Sequence, residues 1–386
     1  MACCFNPLWR LAALDGDVIW TSGCTQNQWA YFDSAGYLRT VCKPNRFNRK
    51  FRMKVRNADG LVIQSTYDFA TEHVGFESTD GSYVTPVWVN QGNGQFFIQD
   101  YYAGNIRRYS SAGSSMNTLS FNFGTQLRIA ALDPVTGAIY NGTGTFVIAR
   151  NPSTGAIAWF ANTPSIPGVG GNVTHLSTSR ISGGVYALRS APPNDNAAVY
   201  KYDSAGNLQW SQSLNLKGSF DSPQHDPADT IVMAASSTTA YIFFQSTRGV
   251  NFDEPHWYVA SVSNGSSSIE MIDYPAGPVV SGFITANQID ASESHVVTSA
   301  NFTDLDPLVA NGGSVITHQA FGGSINWQRL TVPLSFDGAL YSTRQWSTSI
   351  DSGDTNSVSA LTDITVDEAT GDVVLACLLK GDEIWA

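Results

Sequence analysis

Charged residues are scarce in this sequence and make up only 14% of its 386 positions. Long helices need Glu, Lys, Ala and Leu in quantity, whereas this chain has 34 glycines and 12% aromatic residues and is rich in Ser, Thr and Asn. Such a mixture favours short strands joined by many turns. We therefore predict an all-β protein, and the length fits either two average domains or one large all-β domain.

Basic residues are fewer still. The chain has 21 Lys and Arg against 32 Asp and Glu, which gives a formal net charge of -11. A mild basic cluster between Arg46 and Arg56 alternates along a predicted strand, and we interpret it as a solvated strand face. Recognition of a nucleic-acid duplex needs a concentrated positive surface, so the composition argues against that function.

The sequence also lacks long apolar runs and a cysteine framework. No run approaches the ~20 apolar residues of a membrane span, and the first residues lack the basic and apolar regions of a signal peptide. The sequence thus predicts a soluble chain that is not exported by the usual signal. The five cysteines are too few for a disulfide scaffold and are interpreted as reduced thiols. The vicinal pair Cys3 and Cys4 receives no role.

Two stretches share one pattern: "ARNPSTGAIAWF" (residues 149–160) and "YKYDSAGNLQWSQSL" (residues 200–214). In the second, Asp203 can accept hydrogen bonds from the backbone of the turn, and Gly206 supplies the positive φ that closes it. Leu208 and Trp210 then lie two residues apart on one face of a strand. The pattern predicts a hairpin with one apolar face. The glycine and tryptophan recur as Gly155 with Trp159, Gly206 with Trp210, and Gly323 with Trp327.

Each of the first two hairpins follows a second glycine turn that ends in G-x-[IV]-Y, so a module contains four antiparallel strands. Tandem modules of about 35 to 50 residues with this content are typical of β-propeller blades. We place modules at about residues 11–41, 51–87, 88–121, 127–160, 175–214, 230–275 and 284–332, with an incomplete eighth at the C-terminus. The prediction is a single β-propeller domain over residues 1–386, with eight blades favoured and seven as the alternative.

The incomplete eighth module needs a partner strand, and the N-terminus offers one. The segment "FNPLWRL" (residues 5–11) resembles "GSINWQRL" (residues 323–330). We therefore expect the N-terminal strand to close the last blade as its outer strand, because open strand edges are an aggregation hazard. Residues 333–360 fit no module and are interpreted as a non-repeating insert, either a long loop or a degenerate hairpin.

The 149–160 stretch resembles the tryptophan-docking phrase of quinoprotein alcohol dehydrogenase propellers, A-x-D-x-x-T-G-x-x-x-W. Ala149, Thr154, Gly155 and Trp159 match, and Asn151 stands in the place of the Asp. The 200–214 stretch is similar to the repeats of bacterial propeller arrays that lack the quinone. The resemblance implies that a tryptophan of one blade packs on the next blade, a role we carry over to Trp159, Trp210 and Trp327.

The catalytic half of that resemblance does not carry over. In the family, a vicinal disulfide accompanies a calcium ion held by Glu and Asn and an Asp base, whereas here Cys3 and Cys4 lie at the N-terminus, outside any recognisable cofactor loop. His225, among the aspartates of residues 221–229, could serve as a general base but is better interpreted as part of a Pro-rich turn. The oxygen donors of residues 351–357 lack EF-hand spacing. We predict no catalytic residue, cofactor or metal.

Three function classes remain, because a propeller alone does not select a chemistry. The favoured class is a non-enzymatic structural or adhesion component of a bacteriophage-like virion, since the acidic, Lys-poor, Ser/Thr/Asn/Gly-rich composition resembles that of phage tail and nozzle propellers. Its partners would be other virion proteins or a host surface receptor, within a larger symmetric assembly. The alternatives are an intracellular protein-interaction platform and an enzyme acting at the channel mouth. Candidate partner-binding aromatics are Tyr341, Trp346, Trp257 and Tyr258.

Overall fold

The computed structural model describes residues 6–11, 18–24, 27–32, 37–42, 50–56, 63–70, 87–90, 93–100, 105–112, 114–120, 130–191, 194–216, 231–247, 255–272, 284–302, 313–320, 325–332, 348–349 and 359–379. Every regular element in these ranges is a β-strand. The all-β prediction is therefore confirmed. Within the same ranges no helix is long and apolar enough to cross a membrane.

The described strands form seven sheets, which we number 1 to 7. Sheet 1 joins the two ends of the chain in the order β2-β1-β29-β28. It contains β1 (Asn6–Leu11), β2 (Val18–Cys24), β28 (Ser359–Val366) and β29 (Val373–Leu379). β1 pairs with β2 on one side and with β29 on the other, so it lies inside the sheet and β2 forms the edge. The terminal sheet thus receives two N-terminal strands, not the single outer strand expected.

Sheets 2 to 4 follow in chain order, and each is a four-stranded antiparallel sheet with consecutive strands side by side. Sheet 2 contains β3 (Asn27–Phe32), β4 (Leu38–Cys42), β5 (Lys50–Arg56) and β6 (Ile63–Ala70). Sheet 3 contains β7 (Val87–Val89), β8 (Phe96–Asp100), β9 (Asn105–Tyr109) and β10 (Ser115–Ser120). Sheet 4 contains β11 (Ala130–Leu132), β12 (Ile139–Thr143), β13 (Phe146–Arg150) and β14 (Ile157–Asn162).

Sheets 5 to 7 repeat this plan. Sheet 5 contains β15 (Asn172–Ser177), β16 (Val185–Ala191), β17 (Asn194–Tyr202) and β18 (Leu208–Asn215). Sheet 6 contains β19 (Val232–Ala235), β20 (Ala240–Thr247), β21 (Pro255–Ser263) and β22 (Ser266–Ile272). Sheet 7 contains β23 (Ile284–Ala291), β24 (His295–Phe302), β25 (Gly313–Ala320), β26 (Ile325–Val332) and the short β27 (Thr348–Ser349). β27 pairs with β26 in parallel.

The seven sheets divide the N-terminal part of the chain differently from the predicted modules. The module placed at about residues 11–41 is split, because β2 pairs with β1 while β3 and β4 pair within sheet 2. From sheet 3 onward the sheets follow the predicted modules closely. Most of the insert placed at residues 333–360 lies outside the described ranges, apart from β27 and the start of β28.

The core lies between neighbouring sheets, and the inner strands of sheet 4 contribute buried residues from both of their faces. In sheet 4, Tyr140 packs in a cluster with Tyr200 of sheet 5, whereas the adjacent Ile139 packs in a cluster with Phe97 of sheet 3. Successive strand residues point to opposite faces, so consecutive apolar residues supply both interfaces. The first strands of neighbouring sheets also contact one another, as β15 does with β11 and β19, and β28 with β23 and β3. The sheets therefore stack face to face along the chain.

Candidate functional site

In sheets 4 and 1, a short Asp-Gly phrase builds the turn of the first hairpin, which joins β11 to β12 in sheet 4 and β28 to β29 in sheet 1. In "DPVTG" (residues 133–137), the Oδ1 atom of Asp133 accepts hydrogen bonds from the amides of Val135 and Thr136 at 2.8 and 3.0 Å. The Gly137 amide donates to the Asp133 carbonyl, and Gly137 has a φ of 77°. "DEATG" (residues 367–371) of sheet 1 closes in the same way, with Ala369 donating to Asp367. The sequence phrase thus fixes the local turn.

The first-hairpin turns of sheets 4, 5, 6, 7 and 1 contact one another from sheet to sheet. We call these turns, in that order residues 133–138, 178–184, 236–239, 292–294 and 367–372, the turn belt. Between sheets 4 and 5, the Gly184 amide donates to Asp133 Oδ2 at 2.9 Å. Between sheets 5 and 6, the Tyr186 hydroxyl donates to the Ser237 carbonyl at 2.9 Å, and Lys201 Nζ donates to the same oxygen. Each turn of the belt is therefore held by polar groups of a neighbouring sheet.

The belt continues through two carboxylates. Glu293 of sheet 7 accepts a hydrogen bond from the Ser237 amide of sheet 6 at 2.6 Å, and its other oxygen accepts one from the Ser237 hydroxyl. The Glu293 amide donates in turn to Glu368 Oε1 of sheet 1 at 2.8 Å. Burial, despite the hydrogen bond from Glu293, raises the pKa of Glu368. Carboxylates at these positions act as acceptors that join three consecutive sheets.

Three further contacts join sheet 1 to sheet 2, sheet 2 to sheet 3, and sheet 3 to sheet 4. The Phe32 amide of sheet 2 donates to Thr365 Oγ1 of sheet 1 at 3.4 Å. A Cβ added at Gly94 of sheet 3 would lie 3.7 Å from Nη2 of Arg39 in sheet 2, and one added at Gly137 of sheet 4 would lie 2.2 Å from Nδ2 of Asn90, which follows β7. Each sheet is thus in contact with the next, and sheet 7 with sheet 1.

Arg180 contacts two sheets that are not next to its own. It lies in the turn between β15 and β16 of sheet 5 and is only 7% exposed. Its guanidinium forms an ion pair with Asp290 of sheet 7 and donates hydrogen bonds to Thr365 Oγ1, at 2.9 Å, and to the Val366 carbonyl of sheet 1. The Val366 amide also donates to Asp290 Oδ2 at 2.9 Å. One side chain therefore connects sheets that are two and three positions apart.

The tryptophans carry a different kind of contact between sheets. The Trp159 indole of sheet 4 lies on the turn before β18 of sheet 5, where its Nε1 donates to the Ser204 carbonyl at 2.9 Å. Its ring centroid is 5.6 Å from that of Tyr140 and 6.3 Å from that of Tyr202. Trp210 contacts Tyr186 edge-on at 5.8 Å, within sheet 5, and packs against the core cluster shared with sheet 6. Both rings lie at sheet junctions.

The other predicted residues are placed as follows. Gly155 and Gly206 both have positive φ, at 72° and 86°. Trp327 and Trp257 belong to β26 and β21, and their side chains lie outside the described part of the structure, as do Gly323, Tyr341, Trp346, Cys3 and Cys4. His225 and residues 351–357 also lie outside it. Tyr258 is buried and stacks on Phe244, with ring centroids 5.4 Å apart. Its ring therefore belongs to the core of sheet 6.

The sequence reading did not single out Arg180, Asp290 or Glu293. The only available signal was weak: an arginine in the Ser/Gly-rich turn "STSRISGG" (residues 177–184), where a solvated side chain is the ordinary interpretation. Within the described ranges, no group of three or more His, Cys, Asp or Glu side chains is arranged to hold a metal ion.

Neither a protein-family profile nor a curated protein sequence matches this chain. Among solved structures, hydrazine synthase from Kuenenia stuttgartiensis gives a TM-score of 0.50 at 6% identity, covering 90% of this chain and 92% of that chain. The C-terminal WD40 domain of Sif2 gives 0.42 at 11% identity, over 91% and 96%. A protein of unknown function from Bacteroides caccae gives 0.37 at 18% identity, over 54% and 74%. The first likeness concerns the fold alone, and nothing is drawn from the weaker two.

Proposed function

We propose that the seven sheets are the blades of a closed, seven-bladed β-propeller that serves as a non-enzymatic structural or attachment component of a larger assembly. The support for closure is the sequence of contacts from each sheet to the next, ending with Phe32 of sheet 2 on Thr365 of sheet 1. Seven blades replace the eight favoured from the sequence, because β1 and β2 complete the C-terminal hairpin of β28 and β29. Within the described ranges, every β-strand belongs to one of these seven sheets, so none is left to build an eighth blade.

A scaffold role is supported by three charged side chains that form hydrogen bonds with residues of other sheets. In a propeller, the first-hairpin turns surround one end of the central channel. Here Arg180, Lys201 and Glu293 donate or accept hydrogen bonds between sheets at that end. Groups held in this way stabilise a rigid ring, since a buried ion pair is costly to break.

The observation that carries the attachment role is an apolar surface on the outer strand of sheet 4. Phe160 is 68% exposed and Ile157 is 54% exposed, and the Phe146 ring packs edge-on against Phe160 at 6.3 Å. Exposed aromatic pairs of this kind are characteristic of protein-protein contacts. We assign this surface to another protein of the assembly, which in a bacteriophage-like virion would be a neighbouring tail component.

The test is imaging of the protein in its native assembly and as the purified chain. Negative-stain class averages should show seven lobes, and the native material should show rings within a larger symmetric particle. Phe160→Ser should release the ring from the particle, whereas Met116→Ser, an exposed apolar residue on the outer strand of sheet 3, should not. Rings that stay solitary in native material would contradict the assembly role and favour an interaction platform or an enzyme at the channel mouth.

The aromatic residues of the insert form a second part of this proposal. Tyr341 and Trp346 stand in the stretch that fits no repeat, as expected for a partner-binding loop. Deletion of residues 335–347 spares β27 and β28, so it should leave the ring folded and remove partner binding. Retained assembly would exclude this loop without affecting the role of the surface at Phe160.

A further inference from the structure

Two histidines of sheet 7 stack against each other where that sheet meets sheet 1. His295 begins β24 and His318 lies in β25, and their ring centroids are 4.9 Å apart with an interplanar angle of 29°. His318 is fully buried, and its Nε2 lies 3.2 Å from the Gly371 carbonyl in the first-hairpin turn of sheet 1. Since a carbonyl only accepts, His318 Nε2 carries a proton and donates it to this bond.

Gly371 is also the residue against which His295 packs. A Cβ added at Gly371 would lie 2.5 Å from His295 Cε1, and Gly371 has a φ of 74°. Among the residues that the structure describes, the buried Nδ1 atom of His295 has no hydrogen-bond partner. The junction between sheets 7 and 1 is therefore built from two imidazole rings and one glycine turn, with little room between them.

We propose that this junction is an acid-sensitive latch: protonation of the His295 and His318 pair loosens the contact with the turn of residues 367–372 in the sheet that holds both chain ends. A proton on His318 Nδ1 would place a positive charge at a fully buried site. A proton on His295 Nδ1 would create a buried donor without an acceptor, and two charged rings at 4.9 Å repel each other.

The surrounding charges act in both directions. Burial, and after it the neighbouring His295, lower the pKa of His318 to about 4, against the opposing effects of the Gly371 carbonyl and Asp372. Burial also lowers the pKa of His295. Other charged residues near this junction are Asp367 and Glu368 in the turn of sheet 1, Glu293 two residues before His295, and the ion pair of Arg180 and Asp290, which contacts Val366 beside that turn. Asp372 thus opposes the lowering of the His318 pKa but does not reverse it.

The sign of the pH dependence follows from these shifts. Histidine in the unfolded chain titrates near its ordinary value of 6.5, so below that pH the unfolded state binds more protons than the native state. The contribution of His318 is complete above about pH 6.5 and is lost as the pH falls toward about 4. At about pH 5 the folding equilibrium constant should be lower by about 30-fold from His318 alone.

The experiment compares wild type with His318→Gln between about pH 7.5 and pH 5. A glutamine amide can donate to the Gly371 carbonyl but does not titrate. Between these two pH values, the factor by which the folding equilibrium constant falls should therefore be about 30 times larger in wild type than in the variant. Ser299→Ala changes a buried side chain of the same sheet that does not titrate, and this control should keep the wild-type pH dependence. An unchanged pH dependence in His318→Gln would overturn the latch.

A local measurement separates the latch from general acid denaturation. After correction for intrinsic exchange, amide protection in residues 366–374 should fall at acid pH before that in residues 132–140, the corresponding turn of sheet 4. Equal loss in both turns would count against a local opening. If His318→Gln does not fold, NMR titration of the six wild-type histidines decides the matter, because six pKa values near or above 6.5 would exclude the proposal.

Discussion

Trp159 and Gly206 fit together across two sheets, and the glycine is what allows the fit. A Cβ added at Gly206 would lie 2.7 Å from Cδ2 of the Trp159 indole, and Gly206 has a φ of 86°. The same indole donates to the carbonyl of Ser204 in that turn. The glycine therefore serves both the turn and the packing of the neighbouring sheet. Asn90 on Gly137 and His295 on Gly371 repeat the arrangement with other planar groups.

Gly206→Ala should destabilise the protein by about 2 to 4 kcal/mol, the sum of a left-handed backbone strain and a clash with the indole. Gly265→Ala is the matched control, because Gly265 has a φ of 72° but no atom of the described residues lies within 4 Å of a Cβ added there. It should cost only about 1 kcal/mol. Denaturant midpoints measure both. Equal losses would show that the indole moves aside at little cost. In a Trp159→Ala background, Gly206→Ala should cost less than it does in the wild type.

Arg180→Met should cost about 3 to 5 kcal/mol, because it leaves the Asp290 carboxylate without its cation and the Val366 carbonyl without this donor. Arg150→Met is the control, since the Arg150 guanidinium donates to Asn141 and Gly155 within its own sheet. Its loss should stay within about 1.5 kcal/mol. Thermal unfolding compares the two. The double variant Arg180→Met with Asp290→Asn should be more stable than Arg180→Met alone; an additive loss would contradict the coupling.

Buried tyrosines should make the fold sensitive to alkali. Burial raises the pKa of Tyr241 to about 12, and burial also raises the pKa of Tyr140, Tyr186 and Tyr202. The native state then keeps protons that the unfolded chain loses, so stability is complete below about pH 10 and falls as the pH rises above it. Absorbance of the phenolate band should show these rings ionising only with unfolding. Tyr241→Phe should weaken the alkaline dependence, and early ionisation of all 15 tyrosines would refute it.

Trp9→Pro should destabilise the protein by about 3 kcal/mol or more, because β1 is paired on both sides and proline removes an N–H from the ladder. Trp9 pairs with Thr21 of β2 and with Leu375 of β29. Gln209→Pro is the control at a register shift in the edge strand β18, where proline is better tolerated. Melting temperatures report both. A harmless Trp9→Pro would mean that the two chain ends do not stabilise each other in sheet 1.

The repeated hairpins could be predicted because their determinants are local. Asp203 and Gly206 fix their turn within a few residues. The expectation that Leu208 and Trp210 share one face is wrong, because a register shift lies between them: Leu208 pairs with Tyr202 and Trp210 with Lys201, which point to opposite faces of β17. The number of sheets could not be predicted in the same way. Whether residues 18–24 pair with β1 or with β3 depends on which partner the distant C-terminal hairpin leaves open, and a local pattern does not contain that information.

The sequence by itself determined the all-β class and the turn chemistry, because each depends on residues close together in the chain. Only the tertiary structure decided that Arg180 pairs with Asp290, 110 residues away, and that His295 and His318 stack on Gly371. A buried charge is stable only beside a partner, and that partner is chosen by the packing of whole sheets. The glycine and tryptophan of a hairpin predict how that hairpin packs, whereas the role of an arginine in a turn depends on which residues the fold places beside it.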